Sequence, residues 1–171
     1  MTVKILPYQY RSPLLQEAVR IYVQVWHRDP EDSLVFFRKY AQVEHFYGFV
    51  AQLDGKIVGM AFGTESKSGQ WWHDKVAAQI GDDHPALQDA WVLTELAVLP
   101  PYRNYKIGSL LHDHILATQP FPNVLLSTQV SNTGAQRFYE RHGWDVLHPG
   151  FMFNRGSEPY TILHKLIDDD H

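Results

Sequence analysis

Apolar positions along this chain return at two spacings, one helical and one of period two, and each change of spacing marks a change of element. Residues 2–6 read as a short first strand closed by Pro7. Ser12 and Pro13 then supply an N-cap and a first-turn proline. Leu15, Ala18, Val19, Tyr22, Val25 and Trp26 recur at helical spacing, which predicts a helix running to about Trp26. The Asp29-Pro30 pair breaks it, and a second helix is expected over residues 33–44. Residues 46–53 and 56–65 flank Asp54-Gly55, a strong hairpin signal. Residues 91–98 are mostly apolar and so read as a central strand. A helix is expected over 107–118 with Leu110, Leu111, His114 and Ile115 on one face, then a strand over 123–130. A helix over 132–142 and strands over 144–147 and 160–167 close the chain. Residues 66–88 form too long a connection for a plain turn, so a short helix over 70–79 followed by a loop is expected there. This order predicts an α/β fold of α+β type, with a mixed sheet of about six or seven strands flanked by about four or five helices.

Composition narrows the functional classes. A chain of 171 residues is most simply one domain, 1–171, with its core over 3–167. The formal net charge of −4 argues against a nucleic-acid partner, which would want a basic face. There is no cysteine, so disulfides, thiolate metal sites and a covalent cysteine intermediate are excluded. No window of about 18 apolar residues exists, so no membrane span is expected, and the N-terminus lacks the apolar stretch of a signal peptide. A cytoplasmic protein is the expectation. Ten histidines raise a metal reading. His112 and His114, two apart on a helix, point to different faces, and no paired histidines stand on a clear helix with a third ligand in order. No metal is expected.

Two motifs carry the chemistry. The first runs from Glu95 to Leu111: an apolar strand halts at Pro100-Pro101, a turn carries Arg103, Lys106 and Gly108, and an amphipathic helix opens. Such a strand-turn-helix aims backbone N–H groups and a helix dipole at one point, which suits a phosphate. The second lies about twenty residues on, with Asn132, Ala135, Phe138, Tyr139, Gly143 and Trp144 at fixed offsets. In order, they resemble the acyl-CoA-binding core of the GNAT superfamily of N-acyltransferases. There the loop reads Gln/Arg-x-x-Gly-x-Gly/Ala and the later helix Asn-x-x-Ala-x-x-Phe-Tyr-x-x-x-Gly-Phe/Trp. The second pattern is met in full. The first is met at Arg103 and Gly108 and departs at the middle glycine, where this chain has Lys106. The resemblance is tight over residues 91–145.

That resemblance implies a strongly twisted central sheet and acetyl-CoA as co-substrate. It implies that backbone groups of Leu96, Ala97 and Val98 pair with the pantetheine amides, in the manner of an added strand. Backbone N–H groups over Arg103, Asn104, Tyr105, Lys106, Ile107, Gly108 and Ser109 would hold the pyrophosphate. Asn132 would cap its helix and bond the pantetheine arm, beside Ala135 and Phe138; a bare helix cap is the alternative. Tyr139 would give a proton to the departing thiolate, since a phenol is protonated at neutral pH. The alternative is a tyrosine that packs its ring and bonds a backbone carbonyl.

Glu95 is the only carboxylate within the central strand. In an apolar strand it would be desolvated and its pKa raised, which suits a base for the attacking amine. A sheet-edge or salt-bridged glutamate is the alternative. For the acceptor, the resemblance points to Trp26, His27, Arg28 and Asp29, to Trp71, Trp72, Asp82 and Asp83, and to Phe151, Phe153 and Arg155. Aromatics beside carboxylates suit a cationic amine; tryptophans filling core beside solvated aspartates are the bland alternative. The reading is N-acetyl transfer to a primary amine of a small molecule or peptide, and a homodimer is compatible with it. Transfer of another acyl group or to a hydroxyl, and a non-catalytic CoA-binding regulatory module, stand as alternatives. No Gly-Lys-Ser/Thr follows the loop, against a nucleotide hydrolase.

Overall fold

The computed structural model describes residues 2–168. Along it run β1 (Val3–Tyr8), α1 (Leu14–Trp26), α2 (Pro30–Tyr40), β2 (Tyr47–Leu53), β3 (Lys56–Ser66), α3 (Trp71–Ile80) and β4 (Ala90–Val98). They are followed by α4 (Ile107–Thr118), β5 (Asn123–Gln129), α5 (Thr133–Arg141), β6 (Asp145–Phe151) and β7 (Tyr160–Leu166). The fold is mixed α/β, and its strands hydrogen-bond in the order β1-β2-β3-β4-β5-β7-β6. Two compact units share the chain. The first comprises Met1–Glu65 and Leu93–Pro120, the second Ser66–Val92 and Phe121–His171.

In the first unit, β1 and β2 pair antiparallel from Val3↔Leu53 to Tyr8↔Gly48. The β2–β3 turn places Asp54 at φ 50° and Gly55 at φ 87°, the left-handed pair that a two-residue hairpin of type I′ requires. Strand β1 does not stop before Pro7 as expected; it runs through it to Tyr8, with Pro7 opposite Phe49. It is the terminal strand of the order, and an edge tolerates a proline whose nitrogen faces away from the ladder. Helix α2 starts at Pro30, not Ser33, and ends at Tyr40. The Asp29 carboxylate accepts the Asp32 N–H at 2.8 Å and Pro30 takes the first helical position, so the expected break is also a start signal. Tyr8, Leu15, Ala18, Val19, Ile21, Phe37, Val50, Ile57, Met60, Phe62, Ala97 and Leu99 form the core of this unit.

In α4 the buried face is Ile107, Leu111, His112, Ile115 and Leu116, whereas Leu110 is 44% exposed. The expected face was misjudged by about one residue of rotation, because Ile107 and its i+4 and i+8 partners set it. Gly59 of β3 lets this helix and β4 come close. A methyl group there would meet Leu111 Cδ1 at 3.0 Å and Ala97 O at 3.3 Å.

In the second unit, β4 and β5 pair in parallel over three rungs, Ala90↔Asn123, Trp91↔Val124 and Val92↔Leu125. Leu96, Ala97 and Val98 lie beyond that ladder. Strand β5 pairs β7 antiparallel along its whole length, and β7 pairs β6. The long connection holds α3 close to the expected bounds, plus a 3-10 turn, Pro85–Leu87, where a loop was expected. Val76, Ala77, Ala86, Leu87, Ala90, Val92, Leu125, Phe151, Phe153 and Ile162 are buried together in this unit.

Candidate functional site

Strand β4 gives way to the site's first component. After Leu99 a 3-10 turn, Pro100–Tyr105, leads into α4, and no residue of that turn is buried. Lys106, at the position where the motif has glycine, sits at φ 60° and ψ 21°. The turn therefore needs the left-handed conformation that glycine takes freely, and lysine takes it with some strain. Ile107, Gly108 and Ser109 form the first turn of α4, which has no side-chain cap and no acidic residue. Helix-start N–H groups thus stand beside a lysine and an arginine in sequence, an arrangement that suits an anion. Arg103 is already partly engaged, since its Nε donates to the Val98 carbonyl at 3.0 Å and ties the turn to the strand end.

Glu95 is the second component. It is half-buried on β4 and lies two residues before Ala97, hence on the same face of the strand, the face that enters the core around Tyr8. Desolvation raises its pKa to about 8, and the Arg28 guanidinium pulls in the opposite direction. The carboxylate in turn helps to raise the pKa of Tyr8 and of Tyr40, each driven up mainly by its own desolvation. Tyr8 is 2% exposed, stands edge-on to Phe46 at 5.8 Å, and lies directly over Gly48. Among the described residues its hydroxyl is the one buried side-chain nitrogen or oxygen without a hydrogen-bond partner. Sequence reasoning missed Tyr8 and Tyr40. Gly48, which gives the Tyr8 ring room, becomes its neighbour only once β1 and β2 pair.

The second motif lies in the second unit. The Asn132 side chain accepts the Ala135 N–H at 3.1 Å, so it caps α5 as expected. Tyr139 is 8% exposed, with Phe138 at 5.1 Å and Trp144 at 5.5 Å, both edge-on. Phe138 also stacks on His142 at 4.2 Å. Gly143 turns left-handed at φ 83° after the helix, and Trp144 donates its N–H to the Tyr139 carbonyl at 3.1 Å. These contacts explain the spacing: a cap, a receiving alanine, a turn glycine, and a tryptophan folded back on the tyrosine.

The acceptor candidates divide between the units. In the first, Trp26 is 39% exposed at the end of α1, His27 is its left-handed C-cap, and Asp29 is committed to capping α2. In the second, Trp71 is 56% exposed and stacked on Phe153 at 5.4 Å, while Trp72 Nε1 donates to Ser127 Oγ at 3.2 Å. Asp82 and Asp83 are exposed in the turn after α3. Phe151, at 2% exposure, is a core residue and offers an acceptor almost no surface. His112 bonds Asp113 at 2.8 Å and His114 sits edge-on to Phe49 at 4.6 Å, so the two histidines do point apart. Glu44, His45 and Glu65 bring one ligand atom each within 4.8 Å of one another at the surface, a grouping the sequence did not suggest.

Comparison with known proteins bears on what this arrangement does. A model of the acetyltransferase (GNAT) family matches residues 12–144. A GCN5-like protein acetyltransferase of Mycobacterium tuberculosis is 31% identical over 121 residues, 65% of this chain and 59% of that protein. N-alpha-acetyltransferase 50 of Danio rerio is 30% identical over 91 residues, 50% of this chain and 54% of that protein. The chain thus spans less than two thirds of the length of either relative. The crystal structure of histone acetyltransferase HPA2 and related acetyltransferase from Corynebacterium glutamicum superposes with a TM-score of 0.70 at 20% identity, over 97% of both chains.

Proposed function

The chain belongs to the GNAT family of acetyltransferases, and we propose that it transfers an acetyl group from acetyl-CoA to a primary amine by direct attack in a ternary complex. The acceptor is the amine of a small molecule or a peptide; the relative named for N-alpha-acetylation favours an amine over a hydroxyl. The observation that carries the reading is the succession along β4: a carboxyl with a pKa near 8 at Glu95, then Leu96–Val98 beyond the β5 ladder, then an uncapped helix start.

Each residue has a task. The first-turn N–H groups of α4, with Lys106 beside them, bind the pyrophosphate, and the backbone of Leu96, Ala97 and Val98 aligns the pantetheine arm. Bound in that way, acetyl-CoA supplies an activated thioester carbonyl. Ionised Glu95 takes the proton of the attacking amine, directly or through one water, as the C–N bond forms. Tyr139 gives its proton to the sulfur as the C–S bond breaks, and solvent restores it. Proton and charge balance: one proton leaves nitrogen and one reaches sulfur. The absence of cysteine fits a cytoplasmic setting, and no helix among the described residues is long and apolar enough to cross a membrane.

The test is release of free thiol from acetyl-CoA against small primary amines and against peptides with free or blocked N-termini. Amine-dependent release is the expected result. Silence across the panel together with tight CoA binding would transfer the case to a regulatory CoA-binding module.

A further inference from the structure

Tyr8 plays no part in the reaction as described, yet its hydroxyl is buried without a partner. Such a group is costly to a fold, and native structures keep few of them without a use. The phenol is also held in place with care. Gly48, its cross-strand neighbour, leaves the space the ring needs, since a methyl group there would approach Tyr8 Cζ at 2.7 Å and Phe46 Cζ at 2.8 Å. Ala97 shares the core with Tyr8, and Glu95 shares a strand face with Ala97. Three groups act electrostatically on Glu95 or feel it: Tyr8 from β1, Tyr40 from α2, and Arg28 from the turn between α1 and α2. Tyr40 is only half-buried and Arg28 is exposed, so both reach water. Tyr8, at 2% exposure, does not.

We propose that the Tyr8 hydroxyl is a positioning residue for Glu95, donating a hydrogen bond to the carboxylate once it ionises and holding it to receive the amine's proton. A donor to the charged form favours that form, so the bond also eases the ionisation that burial opposes. The role rests on Glu95 acting as the base. Because the Tyr8 hydroxyl has no hydrogen-bond partner in this structure, the bond forms as the Glu95 side chain turns toward it on ionising. Arg28 and Tyr40, with solvent to bond, orient the carboxylate less strictly.

The test uses Tyr8→Phe, which keeps the ring and its packing. Titration of the glutamate side-chain carbons by NMR, with the Glu95 signal identified by its loss in Glu95→Gln, reads the carboxyl without reference to turnover. In Tyr8→Phe the midpoint should rise by about one pH unit. The acidic limb of kcat/KM should move with it, while KM for acetyl-CoA stays as in wild type. Tyr40→Phe should move the midpoint less. An unmoved midpoint in Tyr8→Phe, or a larger shift from Tyr40→Phe, overturns the role of Tyr8, whatever Glu95→Gln does to turnover. A shifted midpoint together with normal turnover in Glu95→Gln keeps the hydrogen bond and overturns the base assignment instead.

Discussion

At the scale of single residues, three of the proposed assignments can each be tested by one substitution. Tyr139→Phe removes a hydroxyl and leaves the ring that packs on Phe138 and Trp144. Acetyl-CoA affinity should survive, while turnover should fall by about 10²–10⁴-fold, the loss expected for a positioned acid; unchanged turnover under chemistry-limited conditions would remove Tyr139 from the mechanism. Glu95→Gln abolishes a carboxyl that ionises near pH 8. The kcat/KM of wild type should climb as pH approaches that value, and the mutant should lose this limb and reach a lower plateau. Two acceptors of different pKa separate the enzyme's limb from the amine's own ionisation, because only the former stays in place. Lys106→Gly relieves a left-handed lysine at φ 60°, so it should raise stability by about 0.5–1 kcal/mol in urea denaturation. A destabilised Lys106→Gly would mean that the lysine's side chain makes up for its backbone strain.

At the scale of elements, the proposed phosphate cradle is a helix start, and its N–H groups should matter more than the nearby charge. Gly108 stands in the first turn of α4, where a proline is tolerated but brings no N–H. Losing one charge-assisted hydrogen bond of about 1.5–3 kcal/mol should weaken acetyl-CoA binding by about 10–100-fold in Gly108→Pro. Arg103→Ala should cost less, since Arg103 Nε spends its bond on the Val98 carbonyl. Calorimetry showing equal, small losses in the two would remove the loop from the binding site; circular dichroism guards against helix loss. Elements were the most legible part of this sequence. The bounds of α4 and the Asp54-Gly55 hairpin emerge as read, because capping and turn chemistry are local. Three features were not legible. Whether Pro7 ends β1 depends on that strand being terminal in the order; whether Asp29-Pro30 breaks or begins a helix depends on the Asp29 side chain; and the buried face of α4 depends on what packs against it.

Taken whole, the molecule holds its two motifs in two compact units, each with its own core. The motif spacing made Asn132, Tyr139, Gly143 and Trp144 legible, since a cap, a ring and a turn recur at fixed offsets. Tyr8 and Tyr40 were not legible, because their relation to Glu95 exists only once β1, α2 and β4 have assembled around one core. That assembly has a thermodynamic signature. Folding raises the Glu95 pKa from 4.5 to about 8. The unfolded carboxyl therefore ionises first, and the stability carried by the protonated, folded form is complete below about pH 4.5, declines as pH rises, and is gone above about pH 8. His73 and His164 act in the opposite sense. Desolvation lowers both pKa values, so their contribution is lost as pH falls below the ordinary histidine range. Because those histidines are common to wild type and Glu95→Gln, they cancel in a comparison of the two. The melting temperature of Glu95→Gln minus that of wild type should accordingly grow between pH 5 and pH 8 and level off beyond. Partial contact of Glu95 with solvent trims the effect, which should reach a few kcal/mol, several degrees in a chain of this size. A difference that stays flat across that range would show that the folded carboxyl ionises as it does in water, and the case for Glu95 as a base tuned by burial would fall with it.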